Sequence, residues 1–474
     1  MTVAAGAPTA PSGATGVEST ARGWRRRLED AADEQFGRVT LLVAFGGLVL
    51  RLVFGRFEPP PPFRAVVADE IWYVRVAHNL LGGHGFVNVF YPFIKAPTAF
   101  HGPLTVLLLL PSTALEPGGY TLQRATMGLL GAVSVVTLGY VGRELAGPRV
   151  GVVAAVVAAV YPGLWVNDLV ATSETPAILL LSVVLLLVLR YRREPTTRRL
   201  VLLGLSLGLL ALDRAELSLL GLLLVVPAIV AVSRRSAAPL ATAVRALLVV
   251  GVLAILVVTP WSAYNQARFH QTVLISTDLG QTLVGANCPQ SYYGPLTGYN
   301  GKTCFITVLG AELHRYPHGS NEAVQDGFYR DHALSYAVHH WHRWPIVAVM
   351  RELWLWSLWK PGWTVSIAGY FIGRPRWIAW TQIVSFWLLT PFAVYGFLLA
   401  RRRRIPVAQL VTLVAFTAAV GLLVVGNLRY RVSAELAWVL LGAIAIDRLV
   451  FGARDARAAP VAAASVGGSG GDLG

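Results

Sequence analysis

Long unbroken apolar blocks, separated by short arginine-rich loops, run through most of this chain and restrict it to a bundle of membrane-crossing helices. Most of the blocks are long enough to cross a hydrocarbon core of about 30 Å. Of the 474 residues, 55% are hydrophobic and 14% charged, whereas a soluble chain carries roughly a quarter charged residues. The formal charge of +15 does not point to nucleic acid. Its arginines sit in short loops between apolar blocks, which is what membrane orientation requires, and no basic surface interleaved with aromatics accompanies them.

Ten crossings are predicted, centred on residues 39–55, 121–142, 149–167, 174–190, 199–213, 215–233, 243–260, 377–400, 406–426 and 432–451. Residues 1–37 read as a disordered cytoplasmic tail, 38–453 as the membrane domain and 454–474 as a flexible C-terminal tail. With the N-terminus inside, the inner loops hold Arg143 and Arg149, the run Arg190 to Arg199, then Arg234, Arg235 and Arg245, then Arg401 to Arg404. That distribution obeys the positive-inside rule. The apolar segment 103–115 is short, and counting it as a crossing would put Arg401 to Arg404 outside. It is therefore expected to lie at the interface or to re-enter.

Two large outer loops result, 57–120 and 261–376, both expected to contain interfacial helices. In the second, Trp354, Trp356, Trp359 and Trp363 suggest a helix lying along the membrane with aromatic residues at headgroup level; packing against neighbouring helices is the alternative. Cys288 and Cys304, the only cysteines, both fall in this loop. Outside a cytoplasm thiols oxidise, so a disulfide is expected. The aromatic and amide residues between them could form a lid over an acceptor sugar or an ordinary pinned loop. His339, His340 and His342 are close in sequence, but adjacent histidines do not share a helical face, which disfavours a metal site there.

Ionisable residues at membrane depth mark partners or function. Asp69 and Glu70 follow the first crossing; Asp168 and Glu174 lie at the turn between the third and fourth. Asp213, Arg214 and Glu216 lie between the fifth and sixth, and Arg429 and Arg431 between the ninth and tenth. All fall at the outer side, where they could converge on one cavity. Such a cavity suits sugar transfer from a lipid-phosphate donor. An acceptor hydroxyl is a poor nucleophile and needs a carboxylate base, while the leaving phosphate gathers negative charge that arginines or a metal can stabilise.

The run ADEIWYVRVAHNLLGGHGF (68–86) followed by FHGPL (100–104) resembles the first outer loop of the GT-C glycosyltransferases, in particular the protein O-mannosyltransferases and the lipid A aminoarabinose transferases. VATSETPAILL (170–180), LALDRAELSLL (210–220) and GNLRYRVSAEL (426–436) resemble later outer turns of the same group. The resemblance is good over residues 39–235 and weak in the C-terminal third.

It implies an all-α polytopic membrane protein, and an inverting hexosyl- or pentosyltransferase using a polyprenyl-phosphate sugar at the outer face of the cell membrane. The acceptor, a glycan, lipid or protein, stays open. Asp69 would be the base, Glu70 would orient the site or help bind a divalent ion, and Glu174 would be a second acidic residue of the cavity. Arg214 would contact donor phosphate. The aminoarabinose transferases carry Glu-Lys before the proline, where His101 and Gly102 stand here. The lysine's phosphate contact must then come from Lys95, Arg214 or Arg429, and His101 could ligate a metal or touch phosphate. A transporter or flippase of lipid-linked sugars is the rival reading, but the chain shows no internal repeat and its charges gather at one face rather than midway.

Overall fold

The computed structural model describes residues 14–58, 69–90, 95–300, 304, 307–310, 321–372 and 374–458. The outer parts of both expected tails, and the stretches 59–68 and 91–94 of the first expected outer loop, lie outside the described residues.

The protein is an all-α polytopic membrane protein. Among the described residues there is no strand, only an isolated bridge between Val87 and Pro97. A helix occupies each of the ten positions at which a crossing was expected. α1 is Ala14–Gly55, so the second half of the expected irregular tail is helical; proline stops at Pro11, and helix-forming Ala, Arg, Glu and Leu follow. α2 (Asp69–Leu81) and α3 (Leu104–Leu115) belong to the first large loop. Then come α4 (Thr121–Ala146), α5 (Pro148–Val160), α6 (Pro162–Trp165), α7 (Glu174–Arg193), α8 (Thr197–Asp213), α9 (Ala215–Ser233) and α10 (Pro239–Phe269). In the second large loop lie α11 (Leu279–Ala286), α12 (Pro289–Tyr292), α13 (Glu322–His339), α14 (Trp344–Leu355) and α15 (Pro361–Ile372). α16 (Arg376–Arg402), α17 (Ala408–Leu423) and α18 (Val432–Ala458) complete the bundle.

Six of these helices are long and apolar enough to cross a membrane, and a seventh span results if α5 and the segment Pro162–Leu169, bent by 53°, are counted together. Pro162 explains the break, because it cannot donate to the helix ladder. α8 and α17 are shorter. The main core joins α4, α5, α7, α8, α9, α17 and α18 through residues such as Leu138, Ala155, Leu181, Leu203, Leu220, Leu413 and Leu440. α4 and α5 meet through Gly139, Gly142, Gly151 and Ala154, the small residues that allow close helix approach in lipid.

α3 starts and finishes at the same end of the bundle. Thr105 near its start donates to Asp213 at the end of α8. Just after its end, Glu116 accepts from the Leu122 N–H at the start of α4. At the opposite end, Glu144 of α4 pairs with Arg190 and Arg193 of α7. The second loop corrects one expectation. The four tryptophans do not lie on one helix, since the chain breaks between α14 and α15. Trp354 is buried and donates to the Thr297 carbonyl, Trp356 stacks against Phe386 and Trp438, and Trp359 and Trp363 are exposed. Cys288 and Cys304 form a disulfide.

Candidate active site

Adjacent residues on a helix point about 100° apart, and this divides Asp69 from Glu70 at the start of α2. Glu70 turns inward. Its Oε1 accepts from Arg124 Nε at 2.8 Å and from the Ala171 N–H at 2.9 Å, while Oε2 accepts from Arg124 Nη2 at 2.8 Å. Both oxygens are thereby committed, and Glu70 ties α2 to α4 and to the turn that carries Glu174.

Asp69 faces the other way. Its Oδ2 lies 2.5 Å from Arg429 Nη1. Arg429, in the short 3-10 turn Leu428–Arg431 before α18, also donates through Nε to Glu174 Oε1 at 2.7 Å. The same Glu174 oxygen accepts from Arg214 Nη1 at 3.1 Å, and Arg214 donates to Glu216 at 2.8 Å. Four turns far apart in sequence thus meet in one hydrogen-bonded set: Asp69, Glu174, Arg214 and Arg429, with Glu216 at its edge. Burial would raise the Asp69 pKa, but the Arg429 guanidinium and His101 outweigh it and hold the carboxyl well below the usual range.

His101 completes this set. Its Nε2 is 3.7 Å from Asp69 and its Nδ1 is 3.4 Å from Asp278. The imidazole stacks on Tyr73, ring centres 5.0 Å apart, and meets the Trp72 ring edge-on. Gly102 follows because the backbone here runs against α8: a Cβ on it would stand 2.1 Å from the Leu212 carbonyl oxygen.

Other residues singled out from the sequence stand elsewhere. Asp168 is buried against Arg51, 2.6 Å away, and accepts from Thr175, so it braces α1 against the turn before α7 rather than joining the set around Asp69. Arg431 is fully buried and pairs with Glu435. Lys95 lies exposed in its turn, with no contact to these carboxylates among the described residues. A divalent ion does not fit the set as it stands. No three His, Cys, Asp or Glu side chains among the described residues could share a metal. Glu70 is consumed by Arg124 and Ala171, and His101 turns a different ring nitrogen to each of its two carboxylates.

Asp278 and Arg124 are the members that sequence reasoning missed. Asp278 stands before a helix, where an aspartate ordinarily reads as a cap. Arg124 sits at the head of an apolar helix, where an arginine reads as an interfacial anchor.

The family model described as Dolichyl-phosphate-mannose-protein mannosyltransferase matches residues 101–264. The resemblance is to GT-C glycosyltransferases. The match begins at His101 and takes in Glu174, Asp213 and Arg214, while Asp69 and Arg429 lie outside it. No curated protein matches the chain by sequence. Among solved structures, the Archaeoglobus fulgidus oligosaccharyltransferase AglB, in complex with an inhibitory peptide and a dolichol-phosphate, is 16% identical with a TM-score of 0.48. That alignment covers 91% of this chain and 52% of AglB. ArnT from Cupriavidus metallidurans, bound to undecaprenyl phosphate, is 18% identical with a TM-score of 0.42, covering 89% of this chain and 79% of ArnT. The Archaeoglobus fulgidus enzyme was also solved with Zn and sulfate. This chain spans about half the length of the archaeal oligosaccharyltransferase.

Proposed function

We propose that the protein is an inverting glycosyltransferase that moves a sugar from a polyprenyl-phosphate donor to an acceptor hydroxyl on the outer membrane face. The observation that carries this reading is the convergence of Asp69, Glu174, Arg214 and Arg429 from four separate turns into one partly exposed acid–base set. The family match over residues 101–264 supports the reaction class and a lipid-phosphate donor. Charge supports the outer face: the arginine-rich turns at Arg143, Arg190 and Arg193 lie at the opposite end of the helices that carry Glu174 and Arg124, and the positive-inside rule favours such turns on the cytoplasmic side.

In the proposed reaction Asp69 takes the acceptor's hydroxyl proton while the acceptor oxygen bonds to the anomeric carbon from the face opposite the phosphate. The bond from that carbon to the phosphate oxygen breaks, and its electron pair leaves with the polyprenyl phosphate. Arg429 and Arg214 hold the growing phosphate charge. Without donor, Arg429 rests on Asp69 and makes it a weak base. A donor phosphate competes for the same guanidinium, so Asp69 gains basicity when the donor is seated. This couples proton abstraction to donor binding.

The test is Asp69→Asn in proteoliposomes supplied with polyprenyl-phosphate sugars. The variant should fold as wild type in detergent and lose transfer by at least ~100-fold, the usual contribution of a general base. Wild-type-like turnover would remove Asp69 from that role.

A further inference from the structure

The acidic set carries more negative than positive side chains. Asp69, Glu174, Glu216 and Asp278 meet two arginines, Arg214 and Arg429, and a charged His101 brings the cations to three. Asp278 has been placed to keep it charged. It occupies the N-cap position of α11, yet its side chain makes no capping hydrogen bond. The helix's Gly280 N–H is instead capped from another element, by Asp326 of α13 at 2.6 Å. Released from capping, Asp278 accepts from the Ser276 hydroxyl through Oδ1 and turns Oδ2 to His101. Its backbone is pinned as well: the Thr277 N–H donates to the Ala99 carbonyl, two residues before His101. The buried Glu322 carboxylate accepts from both the Ala99 N–H and the Thr277 hydroxyl.

We propose that His101, held between Asp69 and Asp278, is a built-in cation that offsets part of the negative excess of the acidic centre, the task a divalent metal would otherwise serve, with Asp278 as its positioning residue. A protonated imidazole has no lone pair for a metal, and the ring is held in a slot between Tyr73, Trp72 and Phe100. The titratable groups around His101 are Asp69 and Tyr73 on α2 and Asp278 ahead of α11. Arg429 acts on it through Asp69, and Asp213 follows the Leu212 carbonyl on which Gly102 packs. Burial would lower the His101 pKa, but Asp278 and then Asp69 outweigh it and raise it to about 9. The role in transfer rests on the function proposed above; the charge itself does not.

The experiment is a pH titration of the protein carrying 13C-labelled histidine in nanodiscs, with the His101 ring signal assigned through His101→Gln. In wild type that signal should keep its charged position to about pH 8, and Asp278→Asn should lower its midpoint by at least one pH unit. Millimolar Mg2+ should leave the signal unmoved, and turnover should persist in EDTA. A wild-type midpoint near 6.5, a midpoint unmoved in Asp278→Asn, or a Mg2+-induced shift would each overturn the proposal. The wild-type midpoint does not depend on Asp278→Asn, so misfolding of that variant would still leave the proposal open to refutation. Absence of sugar transfer from every lipid-phosphate donor, with the histidine titrating at high pH, would sink the transferase reading and keep the built-in cation.

Discussion

Replacing Glu70 by Gln separates a structural tie from a chemical role at the residue beside the candidate base. Glu70 accepts three hydrogen bonds, two from Arg124 and one from the Ala171 N–H. Its side chain is 3% exposed and that of Arg124 10%. Breaking a buried ion pair by removing one partner costs about 3–5 kcal/mol. Glutamine keeps one acceptor oxygen, and Arg124 keeps its bond to the Glu58 carbonyl, so the cost should fall at about 3 kcal/mol, the low end of that range. Denaturation by SDS in mixed micelles would read it. A double-mutant cycle with Arg124→Gln should return a coupling of about 2 kcal/mol. Turnover should fall as well, because Ala171 stands three residues before Glu174 and is held in place by this carboxylate. A Glu70→Gln protein as stable as wild type yet without activity would refute this account and return Glu70 to the chemistry.

Three further outcomes follow from the same geometry. Asp69 has a depressed pKa, so the stability it contributes is present above its unfolded value near 4 and is lost as the medium is acidified further. His101 has a raised one, so its contribution is complete below about pH 6.5 and is lost as pH rises through about 9; the thermal unfolding midpoint in detergent should fall over that alkaline range in wild type, and a fall of the same size in His101→Gln would contradict it. Gly102→Ala would set a Cβ 2.1 Å from the Leu212 carbonyl, a clash with backbone that should cost at least ~1–3 kcal/mol and move the His101 ring signal, whereas wild-type stability would deny the close approach.

Much of the fold was legible because hydrocarbon is a simple solvent. Apolar length marked where helices would lie, and arginine placement argued that α3 does not cross. Ordered turns resembling one family pointed to Asp69, Glu174, Arg214 and Arg429, which do meet. Other features were hidden for physical reasons. An acidic pair such as Asp69-Glu70 reads as one feature, yet a helix turns its two members to different neighbours. Asp168 and Arg51 are 117 positions apart, and nothing local to either indicates that they pair. The tryptophans of 354–363 suggested a single helix because the break after Leu355 carries no signal before Pro361. Asp278 looked like a cap, and only the position of Asp326 shows that the cap is supplied from elsewhere.

Burial alone does not separate the structural ions of this bundle from the candidate site. Arg51–Asp168, Arg374–Glu58 and Arg431–Glu435 are each a single acid matched to a single base, with side chains no more than 7% exposed. Such closed pairs cost desolvation and offer nothing to a ligand, and bracing the helices is what remains for them to do. The set around Asp69 differs in two respects. One cation, Arg429, serves two carboxylates and is 43% exposed, so a third anion can compete for it with little desolvation of its own. The acids also outnumber the two arginines, and His101 offsets only part of that excess. A shared and reachable guanidinium is what distinguishes this set from the closed pairs, because an incoming anion can take Arg429 over from the carboxylates that now hold it.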